Sequence, residues 1–425
     1  MTTGFVAILA NACLALAFLF APLFRGGLYV FTVLALGLAL GRLARAGKTG
    51  WRWPDREERW LGGVFLWAFL TTLPQTVMDW GYSSRALDHG SRFLLAGLLF
   101  VVLVSGKVRL KEQWLGLSLL GAGILSGLYA LQQFFFQEMT RVAGGISIQS
   151  FGDINTILFF LALLVVIFAK GKTWPVLGGG AMSLAFISVI LSGLRTNWLA
   201  LGLTTLVVLG LVFRQLKAPE TRRRIGTALL LCLVLAGVIA VVPPFRKVVE
   251  ARTQAAVSDI TTFDPKTGAK TSVGARFLLW EAAYLHWRES PLLGLGFKRR
   301  VEVNNRLLEE GEITIQQNPY GTMHNEFLNA LSLRGLVGAS TILLLYLAPL
   351  VFFLRRWKRM DSQTLPAALF GLAVVLAFFF CGFSGEPLYL HLSATFYSLV
   401  ILATVSVIKQ QERETTPELG KAAKV

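Results

Sequence analysis

Apolar residues run in long blocks along most of this chain, separated by short polar connections. About twelve blocks are long enough to cross a bilayer core of roughly 30 Å. They are Phe5–Phe24, Gly27–Ala44, Trp60–Met78, Arg92–Gly106, Leu115–Leu131, Ile154–Ala169, Val176–Ser192, Trp198–Phe213, Ala228–Val242, Leu336–Leu354, Ala367–Phe383 and Leu392–Ile408. The fourth is the shortest. Lipid offers the backbone no hydrogen-bond partners, so spans of this kind must be helices. The pattern therefore predicts an all-α integral membrane protein. No basic stretch precedes the first block and no cleavage site follows it, so it is read as a retained span rather than a signal peptide.

The polar segments divide the rest. One connection, residues 243–323, is far longer than the others, and a loop of that length without a function is unusual. Within it, "ARFLLWEAAYLHWRESPLLGLGF" places Phe277, Trp280, Ala283, Tyr284 and Trp287 at three- and four-residue spacing. That spacing predicts an amphipathic helix lying at the membrane surface or on the bundle. Pro291, Gly294 and Gly296 are expected to end it, with "GLGFKRR" as a turn. The domain division is 1–408 as a polytopic membrane domain that includes this loop, and 409–425 as a short, charged tail expected to be disordered.

Composition agrees with the pattern: 54% of the 425 residues are hydrophobic and 15% charged, against about a quarter charged in soluble domains. A net charge of +17 would point to nucleic acid in a soluble chain. Here its distribution matters more, and no nucleic-acid partner is expected. Basic residues crowd alternate connections, among them Arg42, Arg45, Arg52, Arg56, Lys107, Arg109, Lys111, Lys170, Lys172, Arg222, Arg223, Arg224, Arg355 and Arg356. The opposite connections hold few: Arg25, Arg85, Arg92, Arg141 and Arg195. The positive-inside rule puts the basic loops and both termini in the cytoplasm, and residues 243–323 outside. Cys13, Cys232 and Cys381 all fall inside predicted spans, so they read as packing residues with no disulfide framework.

Three residues could carry chemistry on the external face. Arg195 sits in "SGLRTNWLALG", a tight turn between the seventh and eighth spans. Arg276 opens the amphipathic helix, and His324 with Asn325 precedes the tenth span in "HNEFLNALSLRGLVG". Each has a plain alternative: a snorkelling arginine, a solvated charge, a helix cap. Together they suggest more. Arginine forks bind phosphate oxygens in pairs, and histidine accepts a proton near neutral pH. A lipid-linked phosphate substrate would suit such a group, with the bilayer as its medium. Glu326 is the rival base; Glu281 and Glu289 are further carboxylates. No zinc spacing, HExxH, Walker lysine motif or paired-aspartate motif is present, so no metal or cofactor is expected.

At these motifs the chain resembles the O-antigen ligases and their relatives, the O-antigen polymerases and protein O-oligosaccharyltransferases. The likeness rests on "SGLRTNWLALG", on the Arg…Trp…Pro-Leu-x-Gly-x-Gly run from Arg276, and on "HNEFLNALSLRGLVG". It implies a glycosyltransferase of GT-C-type architecture in the bacterial inner membrane, with a periplasmic active site. The implied reaction is metal-independent transfer of a glycan from undecaprenyl diphosphate to lipid A-core, with inversion. His324 would be the catalytic base, and Arg195 and Arg276 would act on the diphosphate. Trp280 and Asn325 would join the arginines in binding substrate. One departure stands out: many relatives carry an acid before the first glycine of the last motif, where this chain has Leu333 and Arg334.

Within the family, a polymerase or a protein-directed transferase would use the same donor. A lipid-linked glycan transporter is the alternative from another class. Broken helices and mid-membrane charges would favour it, and neither is evident in the sequence.

Overall fold

The computed structural model describes residues 3–215, 219–261, 271–314, 321–358 and 363–422. Sixteen helices occupy them: α1 (Thr3–Phe20), α2 (Gly27–Gly50), α3 (Arg56–Leu70), α4 (Leu73–Met78), α5 (Arg85–Ser105), α6 (Glu112–Phe136), α7 (Ile148–Phe168), α8 (Thr173–Leu191), α9 (Arg195–Gln215), α10 (Pro219–Val241), α11 (Pro243–Thr261), α12 (Ser272–Glu289), α13 (Gly296–Glu309), α14 (Glu326–Trp357), α15 (Leu365–Gly382) and α16 (His391–Ala422). Eleven segments are long and apolar enough to cross a membrane, and Gly4–Phe20 adds a shorter apolar helix. The protein is an all-α integral membrane protein. α7 lies at its centre, with Phe151, Phe159 and Phe160 fully buried against α6, α8 and α15.

Several boundaries differ from the hydropathy pattern, each for a local reason. The third span bends: α3 ends before Thr71, and α4 restarts with Pro74 in its first turn, where the missing N–H costs nothing. The short fourth span is a full helix of 21 residues from Arg85, because its first two turns are polar and invisible to hydropathy. The tail expected to be disordered instead continues α16 to Ala422. Its first turns are held by ion pairs, Arg356 Nε to Glu412 at 2.8 Å, Lys409 to Asp55 at 2.8 Å and Lys409 to Glu57 at 3.0 Å.

Among its described residues the long connection holds three helices, α11 to α13. "GLGFKRR", expected as a turn, opens α13. Asp79 at the end of α4 is completely buried and accepts from Phe297 N (2.9 Å) and Lys298 N (2.9 Å). A carboxylate here caps the free N–H groups and meets the positive end of the helix dipole. α12 is helical as expected, but its buried face is rotated from the aromatic one. Leu279, Ala282, Ala283 and His286 are buried, while Phe277 and Tyr284 are 45% and 52% exposed.

α14 is not continuous. Gly335 has φ +59°, ψ −152°, which splits its first nine residues from the span proper. The backbone groups freed by this break are taken up by the loop after α12. Leu336 N donates to Pro291 O (2.8 Å), Val337 N to Leu292 O (3.2 Å), and Leu295 N to Ser332 O (3.1 Å). The predicted span began at Leu336, one residue past the break. The first segment of α14 belongs with the loop helices.

Candidate active site

The turn from α8 to α9 passes through Gly193, whose φ of +65° suits glycine. Two arginines cover it: Arg141 Nε donates to Ser192 O (3.1 Å) and Arg252 Nε to Gly193 O (2.9 Å). Arg195 then begins α9. Two residues on, the buried Asn197 Nδ2 donates to Asp153 Oδ1 of α7 (2.9 Å), which also fixes the start of α9. Asp153 Oδ2 in turn accepts from Ser393 of α16 (2.8 Å).

Arg195 Nη2 pairs with Asp259 Oδ2 of α11 at 2.9 Å. The other carboxylate oxygen of Asp259 accepts from Ser272 N (3.2 Å) at the start of α12. Arg276 is one turn further along that helix. The sequence-nominated arginines are thus brought together through Asp259, and their charges interact. Burial, then the field of Arg195, lowers Arg276 from its ordinary value, with Asp259 and Glu386 opposing. Arg141 and Arg252 are lowered likewise, by burial first and then by neighbouring guanidinium groups. Four arginines therefore face one region, two of them not singled out by the sequence.

His324 stands next to this cluster. Its φ of +50° is a left-handed conformation that few non-glycine residues adopt. Partial desolvation, then the Arg276 charge, holds its imidazole below the ordinary 6.5. The shift favours the neutral ring, the form that can accept a proton.

The strained loop is held on both sides. Arg300 of α13, 1% exposed, donates to Gly321 O (2.8 Å). Glu386, in the α15–α16 connection and 4% exposed, accepts from Asn325 N (3.1 Å). It also accepts from the Thr322 hydroxyl and the His324 backbone. Burial raises the Glu386 carboxyl to about 7, with those hydrogen bonds and Arg276 pulling the other way. Glu386 bonds the His324 backbone and its charge acts on Arg276, so a carboxyl group stands at the site.

Asn325 is the N-cap of α14. Its Oδ1 accepts from Phe327 N and Leu328 N (3.1 Å each) and its Nδ2 donates to Phe383 O (3.2 Å). Most of its amide is used in holding the loop. Glu326, the rival base, is 2% exposed and turned into the bundle, where it accepts from Tyr346 Oη (2.5 Å) and Leu388 N (2.7 Å). The exposed ring of His324 is the better placed proton acceptor.

Three donors on the nominated residues have no acceptor among the described residues: Arg195 Nη1, Arg276 Nε and Trp280 Nε1, all shielded from solvent. Trp280 follows Arg276 by four residues, on the same face of α12. Unmet buried donors are uncommon in native structures. On residues one turn apart on α12 and on the neighbouring Arg195, such donors suit a ligand rich in oxygen acceptors.

One group of potential metal ligands occurs among the described residues: Asp88, His89 and His391, their donor atoms within 4.8 Å of one another. Sequence spacing could not show it, because α5 and α16 meet only in the fold. A guanidinium already fills it: Arg92 Nη2 bonds Asp88 Oδ2 (2.9 Å) and contacts His391. A bound cation would oppose that charge, and the group fits an ion-pair cluster better than a metal site.

Comparisons with known proteins give matches. A family model described as O-antigen ligase matches residues 180–343, the segment that holds Arg195, Arg276, Trp280, His324 and Gly335. An uncharacterized protein of Haemophilus influenzae is 26% identical over 351 residues, 80% of this chain and 84% of that protein. The O-antigen ligase of Escherichia coli K12 is 22% identical over 275 residues, covering 64% of this chain and 63% of its own length.

Proposed function

We propose, from the chain's similarity to O-antigen ligases over residues 180–343 and to the Escherichia coli ligase, that it belongs with them and transfers a glycan from a polyprenyl diphosphate to a sugar hydroxyl of lipid A-core. The observation that carries the reading is the grouping of Arg195, Arg276 and His324, with arginine donors still lacking acceptors among the described residues.

In this reading, Arg195 and Arg276 bind the diphosphate of undecaprenyl diphosphate, and Trp280 adds its indole N–H to the same ligand. His324 removes the proton from the acceptor hydroxyl. The acceptor oxygen attacks the anomeric carbon as the bond to the diphosphate oxygen breaks, and the configuration inverts. The electron pair leaves with the diphosphate, where the guanidinium groups stabilise its charge; such preorganised donors are a large catalytic term. Arg141 and Arg252 add positive potential, which favours anion capture. Asn325 serves this site mainly by fixing the His324 loop.

The proposed orientation puts this end of the bundle in the periplasm of a bacterial inner membrane and both termini in the cytoplasm. The clustering of basic residues at the opposite helix ends supports it. The direct test uses purified protein in detergent with polyprenyl-diphosphate-linked glycan and lipid A-core. A new glycosidic bond, seen as a mass increase of the acceptor, supports transfer. Consumption of donor into longer lipid-linked glycan would show a polymerase instead, and an unmodified donor would sink both.

A further inference from the structure

A large cavity lies far from the arginine cluster. It measures about 790 Å³ and lies between α6, α7, α15 and α16. α6 runs from Glu112 at its mouth to Phe136, five residues before Arg141, and a helix of 25 residues is about 37 Å long. Cavity and cluster are therefore at opposite ends of the bundle. The cavity is no part of the proposed transfer site.

Its interior is aliphatic and aromatic, with Leu120, Val165, Phe370 and Val400 on facing helices. Its mouth is different: Lys170 and Trp174 line it, and Lys172 is exposed beside them. Arg224 joins this rim by donating to the Ala169 carbonyl. Two acids lie nearby, and Glu112 is itself part of the lining. Glu112 accepts from Gln411 Nε2 (2.9 Å), and Glu220 pairs with Arg224 (2.7 Å). Tryptophan and lysine at a helix end are the composition of the headgroup layer. An apolar volume of this size inside a membrane protein matches hydrocarbon better than water.

We propose that this cavity binds one acyl chain of an anionic phospholipid, with the phosphate resting on Lys170 and Lys172. The apolar walls select a chain, and the cationic rim selects the headgroup. A zwitterionic lipid would fill the same volume and gain less at the rim.

The test is native mass spectrometry of the full chain in mild detergent, with phosphatidylglycerol and phosphatidylethanolamine supplied in equal amounts. Gly116 lines the cavity, and a Cβ added there would meet nothing within 4 Å, so Gly116→Trp is chosen to fill the space. We expect wild type to retain phosphatidylglycerol in preference and Gly116→Trp to lose the retained lipid. Lys170→Glu should leave a lipid bound but reduce the preference for phosphatidylglycerol, by roughly fivefold per charge removed. The lysine variant keeps the proposal testable if the tryptophan variant misfolds. Equal retention in wild type and Gly116→Trp would overturn it. So would a preference unchanged in Lys170→Glu, or a retained species that is detergent or a polyprenyl phosphate.

Discussion

Gly294 and Gly335 are packed backbone to backbone. A Cβ on Gly294 would stand 2.3 Å from Arg334 N, and one on Gly335 would stand 2.4 Å from the carbonyl carbon of Leu292. Both also have positive φ, +71° and +59°. This contact explains why two glycine-containing motifs, forty residues apart, both matter. It lets the loop after α12 supply acceptors to the broken α14. It also fixes α12, and with it Arg276, beside the loop that carries His324.

Gly294→Ala and Gly335→Ala should each destabilise the protein. The left-handed conformation costs an alanine about 1–2 kcal/mol, and the overpacking costs about 1–3 kcal/mol more. Thermal unfolding in detergent should show a lower Tm for both. An unchanged Tm for Gly335→Ala would contradict the clasp.

His324→Ala should reduce transfer by about 10²–10⁴-fold, the usual contribution of a general base. Glu326→Gln should retain far more activity, because Glu326 is bonded to Tyr346 and Leu388 N rather than facing the cluster. Initial rates of the two purified variants decide between them. The reverse ranking would make Glu326 the base.

Glu386→Ala should slow turnover more than it weakens donor binding, because it removes the acceptor for Asn325 N and the His324 backbone. Glu386→Gln keeps a carbonyl oxygen at that place and should recover part of the rate. A purely structural role would predict parallel losses in kcat and in folded yield. Separate measurement of kcat, KM and yield distinguishes the two.

Much of this molecule could be read from its sequence, and the exceptions share a cause. Hydropathy located the spans because lipid imposes one backbone solution. It placed the tenth span at Leu336 because the first segment of α14 begins with polar residues, Glu326 and Asn329 among them. Arg195, Arg276 and His324 were visible as isolated cations and a rare histidine near span ends. Arg141, Arg252 and Glu386 were not, since each is an ordinary charge until the fold brings it to the others. The rotated face of α12 was missed because the aromatic period is correct, yet the small residues Ala282 and Ala283 do the packing.

The pH dependence follows from His324. Its pKa is held below 6.5 by desolvation and by Arg276, so the base form is present above that lowered value and is lost as pH falls through it. The rising limb of kcat/KM against pH should therefore lie below 6.5. A limb clearly above 6.5 would assign the titration to another group, and Glu386, raised to about 7, is the one to examine.

The arginines separate charge from geometry. If Arg195 and Arg276 hold diphosphate oxygens by forked hydrogen bonds, lysine is a poor replacement at each, since it presents a point charge without the planar fork. If they only anchor helices near the headgroups, lysine should serve almost as well, because both side chains snorkel. The lysine variants also keep the charge that opposes protonation of His324, so their pH limb should stay in place while the rate falls. Arg195→Lys and Arg276→Lys are therefore expected to lose most transfer activity. Tm should change little for Arg276→Lys, and somewhat more for Arg195→Lys because of its 2.9 Å pair with Asp259. The double variant should lose less than the product of the single losses, since both residues act on one leaving group. The measurement is initial rate at saturating acceptor with donor varied. Lysine variants with wild-type rates and unchanged donor dependence would leave both arginines as structural residues and His324 without partners.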